Sequence, residues 1–189
     1  MKIKRINTLF ALLLIMFMTV SSSIPANAAT LYGYGFASRP ITVYASNSLS
    51  AMEVQQLQEA IVVWNSTRVG TVLQYGGKTS LLSYYWLSDG KTGVIKSDIG
   101  GRSTGITSVK VNASKTNIIE ADISLNTNVT YNNGSTISGE FYLKSVLIHE
   151  LGHVLGLAHS SDYSSVMYEA YTGRTALSPQ DINDLDSLY

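Results

Sequence analysis

The chain has 189 residues, of which 45% are hydrophobic and 14% are charged, so it holds enough apolar material for the core of one soluble globular domain. It contains no cysteine, which excludes disulfide bonds, thiolate metal ligands and catalytic thiols. Thirteen Lys and Arg residues balance thirteen Asp and Glu residues, and no basic patch indicates a nucleic-acid partner.

The first 28 residues have the composition of a signal peptide. Three basic residues among the first five precede an apolar run over residues 9–20, and the small residues 26–28 follow. The run is too short to serve comfortably as a membrane anchor, so this order predicts cleavage after Ala28. We therefore expect a secreted, extracellular domain over residues 29–189, with a net charge of −3 and no stable membrane association.

The first half of this domain is predicted to contain one helix and several strands. Residues 41–44 are β-formers, and Ser50 begins a capping box that is followed by apolar residues at helical spacing up to Trp64. Paired glycines and Asp-Gly divide the middle of the chain into further runs of β-formers. These runs predict strands at residues 72–75, 84–87, 106–111 and 118–125.

Two helices are predicted in the second half. A polar segment over residues 126–138 predicts a loop, and it leads into an apolar helix over residues 141–157. Ser178 and Pro179 provide the N-cap and the first-turn proline of a short final helix. Helices before and after a strand-rich middle indicate an α+β fold.

The apolar helix carries a pattern typical of a zinc site. Residues 149–153 read His-Glu-Leu-Gly-His, which places His149 and His153 on one helical face, about 6 Å apart. A catalytic zinc needs three protein ligands and leaves a fourth position for water, and His159 is the predicted third ligand. Gly156 lies between the second and third ligands, where a positive φ can end the helix and reverse the chain. These are the only histidines present, so we predict one zinc ion.

Glu150 is the predicted catalytic residue. It lies about 100° around the helix from His149, so its carboxylate can flank the metal without ligating it. As a general base it would take a proton from zinc-activated water and return it to the leaving amine. A single helical His or Glu is more often structural or solvated. The joint pattern, however, arises by chance in on the order of one chain in 100,000.

The same residues resemble the metzincin signature H-E-x-x-H-x-x-G-x-x-H without a gap. Ser160 and Met167 extend the likeness to the matrixin family, in which this methionine forms a floor below the zinc, the Met-turn. Tyr171 matches the matrixin tyrosine that helps to form the wall of the primed-side specificity pocket. Glu169 departs from the pattern, which generally has proline there, so the resemblance leaves the pocket's preference open. With weaker likeness upstream, the match covers most of residues 29–189.

The resemblance implies a metzincin-like catalytic domain with a twisted, mostly parallel five-stranded sheet, three helices and a zinc cleft. Its antiparallel edge strand, which we place near residues 118–125, would bind an extended peptide. We expect neither the family's second zinc nor its cysteine latch, because no histidine or cysteine remains for them. Calcium stays open, since Asp122, Asn126 and Asn128 can supply oxygen ligands or simply form turns.

The predicted function is that of a secreted, monomeric zinc-dependent endopeptidase that acts on peptide or protein substrates. Two alternatives stay open. One is a zinc-stabilised binding or adhesive module without turnover, against which the intact Glu150 argues. The other is a hydrolase of cell-wall peptide cross-links, for which the sequence contains no dedicated wall-binding segment.

Overall fold

The computed structural model describes residues 32–80, 88–134 and 138–189. The predicted signal peptide, residues 1–28, and the predicted strand at residues 84–87 lie outside the described residues. Among the helices of the described part, none is long and apolar enough to cross a membrane.

Six strands form the main sheet: β1 (Gly35–Phe36), β2 (Ile41–Ser46), β3 (Leu73–Thr79), β4 (Thr92–Ser97), β5 (Gly105–Val111) and β6 (Asn117–Asn126). All of them except β5 run parallel to one another. The order is β1-β6-β4-β2-β3, and β5 pairs antiparallel with β6. This confirms the predicted mostly parallel sheet, to which the two-residue β1 adds a sixth strand.

The edge strand beside the site is β5, so the prediction of an edge near residues 118–125 is wrong. Those residues belong to β6, which pairs with β5 on one side and with β4 on the other. The physical reason is visible in the burial pattern. Most of β6 is buried, as expected for a strand between two neighbours, whereas every residue of β5 retains some exposure.

Four short or weakly patterned strands escaped the sequence prediction, and the two-residue β1 is one of them. β4 is largely buried, yet its sequence contains polar residues at both ends and has no alternation. Within and after the predicted polar loop, β7 (Tyr131–Asn132) and β8 (Phe141–Tyr142) form a small parallel ladder. A two-residue strand is too short to show a periodicity in sequence.

The three predicted helices are present: α1 (Ala51–Asn65), α2 (Leu143–Val154) and α3 (Pro179–Leu188). Ser50 and Ser178 both form the predicted N-caps, each within a complete capping box. The middle helix is shorter than predicted. It starts later because residues 141–142 pair as β8, and it ends earlier because Gly156 adopts φ +99°.

Packing of α1 against α2 fixes the helix that carries the candidate ligands. Trp64 of α1 is fully buried, and its indole N–H donates to the carbonyl of Ile148 at 2.9 Å. Buried leucines of α2, among them Leu147 and Leu151, join the same apolar core. The backbone immediately before His149 is therefore held both by a hydrogen bond and by apolar burial.

Candidate metal centre

Three imidazoles converge at one point of the fold. His149 and His153 lie one turn apart on α2 with ring centroids 4.8 Å apart, and the ring of His159 lies 4.8 Å from that of His153. Their nearest ligand atoms all lie within 4.8 Å of one another. The structure thus brings together all three histidines that the sequence predicted as metal ligands.

The turn after α2 returns the chain to the metal side of the helix. Gly156 has φ +99°, its N–H donates to the carbonyl of His153 at 3.0 Å, and the N–H of Leu157 donates to that of Gly152 at 3.0 Å. These two bonds form a Schellman motif, which ends a helix through a left-handed residue. His159 lies two residues farther on, and its position follows from this reversal.

Backbone carbonyls orient two of the imidazoles. Nδ1 of His153 lies 2.7 Å from the carbonyl oxygen of Leu157, and Nδ1 of His149 lies 2.8 Å from that of Val166. A carbonyl oxygen can only accept, so in each ring Nδ1 carries the proton. The lone pair of Nε2 is then free for a metal ion, which is the arrangement found around histidine ligands in metalloproteins.

The charge state of the three rings also suits a metal ion. Burial lowers the pKa of His149, lowers the pKa of His153 to about 3, and is the largest cause of the lowered pKa of His159. The rings are therefore neutral at physiological pH, and neutral imidazole is the form that binds a metal. This donor set fits a zinc ion with three protein ligands.

Glu150 lies in the same cleft, and only 4% of its surface is exposed. Burial raises the pKa of its carboxyl to about 7. The hydroxyl of Thr107, on β5, donates to its Oε2 at 2.6 Å. Sequence reasoning identified Glu150 but not Thr107, because nothing in the local sequence links β5 to α2.

Met167 packs against Gly152 of α2. It is 1% exposed, and a Cβ placed on Gly152 would approach its Sδ to 2.2 Å. The carbonyl of Met167 accepts the N–H of Ser160 at 2.8 Å, which joins this turn to the residue after the third histidine. Gly152 therefore leaves room for the methionine beside the part of α2 that carries His149 and His153.

Asp181 connects the last helix to the metal centre. One oxygen of its buried carboxylate accepts the hydroxyl of Ser165, and the other accepts the N–H of Val166 at 3.1 Å and that of Ser178 at 2.7 Å. Val166 in turn orients His149. The sequence indicated Asp181 only as an acidic residue in the first turn of α3. Its spacing from Ser178 gives no sign of the hydrogen bonds to Ser165 and Val166.

The histidines line a cleft of about 430 Å³. One wall includes residues of β5, and a second wall includes residues 168–172. Tyr171 belongs to the second wall, is 42% exposed, accepts the N–H of Tyr142 at 2.8 Å and meets Phe141 edge to face. Tyr171 and Glu169 both line the cleft, and the role of Tyr171 in a specificity pocket stays a prediction.

The residues predicted as calcium ligands make other interactions. Asp122 lies 3.6 Å from the ammonium of Lys110, and Asn126 donates to two backbone carbonyls of the loop before β5. The amide of Asn128 donates to Asp98 at 2.6 Å. Calcium binding therefore stays a prediction.

The similarity to known proteins extends beyond the residues of the metal-binding signature. A profile described as matrixin matches residues 41–189. Similar proteins include Metalloendoproteinase 1 of Glycine max, 43% identical over 58 residues, which are 29% of this chain and 19% of that protein. Matrilysin of Felis catus is 53% identical over 49 residues, 24% of this chain and 19% of the relative. Interstitial collagenase A of Mus musculus is 41% identical over 71 residues, 36% and 15% of the two chains.

The matched segments span less than a fifth of the length of these three relatives. The profile match is much longer, since it runs from the first residue of β2 to the C-terminal residue and includes the three histidines and Met167. On this match, the chain belongs to the matrixin family, which the signature residues had already indicated.

Proposed function

We propose that this chain is a secreted zinc-dependent endopeptidase that hydrolyses peptide bonds in peptide or protein substrates. The observation that carries the proposal is a cleft in which three neutral imidazoles converge beside the carboxylate of Glu150. Histidine nitrogens at this spacing suit zinc, and three ligands leave room for water and substrate. Family membership supports the same class of chemistry.

In the proposed reaction Glu150 moves the proton. A zinc ion held by the three histidines would act as the Lewis acid that lowers the pKa of water and polarises the scissile carbonyl. Glu150 accepts the proton of the attacking water and later donates it to the nitrogen of the leaving amine. A carboxyl whose pKa burial raises to about 7 is suited to both steps near neutral pH. The only product of this route is the pair of cleaved peptides.

We propose that an extended peptide pairs with β5. This strand has β6 as its only partner in the described sheet, so backbone groups along its outer edge can bind a substrate strand. Phe141, Val146 and Tyr171 contribute apolar surface to the lining of the cleft, which favours an apolar substrate side chain on the primed side. The carboxylate of Glu169 stands in the same cleft and favours a basic neighbouring residue.

The proposal that the protein is secreted rests on its sequence. A basic start, a short apolar run and small residues before Ala29 support a signal peptide over residues 1–28 and an extracellular enzyme. Expression of the full chain with its native start, followed by mass spectrometry of the medium, tests this. A secreted protein that begins at Ala29 is expected, and a chain retained with residues 1–28 would contradict the proposal.

Hydrolysis is tested with the purified protein loaded with one equivalent of zinc. We expect cleavage of denatured protein and of mixed peptides, and a chelator should stop it. Glu150→Ala should keep the zinc and lose at least about 100-fold in kcat/KM, the usual contribution of a general base. Glu59→Ala is the matched control, because Glu59 lies on α1, away from the cleft residues.

Each outcome decides between the functions left open by the sequence. Undiminished cleavage by Glu150→Ala would refute the proposed role of that carboxylate. A peptide that binds saturably to the wild-type protein and is never cut would favour a binding module. Cleavage of cell-wall fragments without cleavage of denatured protein would favour the wall hydrolase.

A further inference from the structure

The carboxylate of Glu150 is buried and needs a polar partner. A charged carboxylate with 4% exposure is costly unless hydrogen bonds compensate for the lost water. The structure provides one such bond, from the hydroxyl of Thr107 to Oε2 at 2.6 Å. That distance is typical of a charge-assisted O–H···O⁻ bond, which is stronger than a bond between neutral groups. The same hydroxyl lies 3.2 Å from the backbone carbonyl of Glu150.

The edge strand holds Thr107 rigidly against α2. Thr107 pairs in register with Ile123 of β6, so its backbone is fixed by the antiparallel ladder. Its branched side chain has few χ1 states available in a strand. The hydroxyl therefore reaches the carboxylate with little loss of conformational entropy when the bond forms.

Gly105 faces the same side of the strand as Thr107, because residues two apart in a strand share a face. A Cβ on Gly105 would lie 2.9 Å from Oε1 of Glu150. The strand thus leaves space for one carboxylate oxygen and donates a hydrogen bond to the other. The two positions together limit rotation of the carboxylate about its last bond.

We propose that Thr107 is a positioning residue, whose hydroxyl holds the Glu150 carboxylate in its orientation beside the three histidines. The inference rests on the proposed function, in which Glu150 moves the proton. It also links the general base to the strand on which substrate would bind, so the base is oriented before substrate arrives. Preorganisation of this kind acts on the chemical step, since a misplaced base lowers the rate without weakening substrate binding.

Two substitutions separate the hydroxyl from the shape of the side chain. Thr107→Val removes the hydroxyl and keeps the branching, and Thr107→Ser keeps the hydroxyl. Loss of a hydrogen bond to a charged group predicts a kcat about 10- to 100-fold lower in Thr107→Val, with KM within about twofold. Thr107→Ser should retain most of kcat. Thr42→Val on β2 is the control, because its hydroxyl accepts from Gln74 outside the cleft.

A second measurement needs neither metal nor activity. The midpoint of thermal unfolding is measured on the zinc-free protein for Thr107→Val, Glu150→Ala, the double variant and the wild type. Removal of the hydroxyl should lower the midpoint when Glu150 is present and change it little when Glu150 is alanine. Equal shifts in both backgrounds would show that the hydroxyl does not hold the carboxylate.

The kinetic result is equally decisive. A kcat of Thr107→Val within twofold of the wild-type value would overturn the inference, as would a Thr107→Ser variant impaired as much as Thr107→Val. A wild-type protein that cleaves nothing would instead refute the proposed function. In that case the unfolding midpoints would still report on the contact between Thr107 and Glu150.

Discussion

Replacement of Gly156 by alanine should destabilise the domain by about 2–4 kcal/mol, and the structure shows why. Gly156 has φ +99°, a conformation that an L side chain rarely adopts. A Cβ there would lie 2.1 Å from the backbone oxygen of Tyr34. Because that atom belongs to the backbone, the segment before β1 must move, and the bond from the N–H of Tyr32 to the carbonyl of Gly156 is weakened.

The magnitude comes from three contributions. The left-handed conformation costs an alanine about 1–2 kcal/mol. Overpacking of a tight contact costs about 1–3 kcal/mol. The lower conformational entropy of the unfolded chain with alanine offsets about 0.4–1 kcal/mol of this destabilisation. Together they give a net cost of about 1–5 kcal/mol, with the middle of the range at about 2–4 kcal/mol. For a domain of this size that middle range corresponds to a fall of about 5–15 °C in the midpoint of thermal unfolding.

The assay is thermal unfolding of Gly156→Ala beside Gly70→Ala, both in zinc and in chelator. Gly70 also has a positive φ, +82°, but no atom lies within 4 Å of its virtual Cβ. Gly70→Ala therefore incurs only the conformational cost. Zinc affinity should also fall in Gly156→Ala, because the same turn positions the Leu157 carbonyl that orients His153. If the two alanine variants lose equal stability, the argument from the Tyr34 contact is wrong.

Two further predictions concern buried carboxylates. Asp181→Asn leaves one acceptor oxygen where the carboxylate has two, so its NH2 group meets either the N–H groups of Val166 and Ser178, which share one oxygen, or the hydroxyl of Ser165. Loss of hydrogen bonds to this buried group should cost about 2–5 kcal/mol, measured by urea unfolding. An unchanged midpoint would show that the carboxylate does not hold this turn. In Asp122, burial and then the charge of Glu120 raise the pKa from 3.8 to about 7. The folded state therefore favours the neutral carboxyl of Asp122. Its contribution to the free energy of unfolding is complete below the pKa that Asp122 has in the unfolded chain, and it is lost as the pH rises through about 7. As the pH rises from about 4 to about 7, the free energy of unfolding of Asp122→Asn should therefore increase relative to that of the wild type. If the two proteins show the same dependence of stability on pH, the raised pKa of Asp122 is contradicted.

The grouping of the candidate site residues could be predicted from sequence because it is local. His149, Glu150 and His153 lie on one helix, so helical geometry alone places them on neighbouring faces. The turn at Gly156 is also local, since a glycine after a helix favours the Schellman motif that the structure contains. The capping boxes at Ser50 and Ser178 were predictable for the same reason, because their partners lie three residues away.

The edge of the sheet could not be predicted in this way. Both β5 and β6 are runs of β-formers, and the choice of the outer strand depends on which of them meets β4. That pairing joins residues about thirty positions apart, and no short-range pattern records it. β4 itself was missed because it is buried by its neighbours rather than by an apolar pattern of its own.

The sequence by itself determined the family and predicted the candidate ligands and general base, because each depends on residue types at fixed short spacings on one helix and its following turn. Only the tertiary structure decided how those residues are held. Thr107 reaches Glu150 from another strand, and Asp181 reaches the turn that orients His149 from the last helix. Such contacts join residues that are remote in the chain, and they form only when the sheet and the helices pack together.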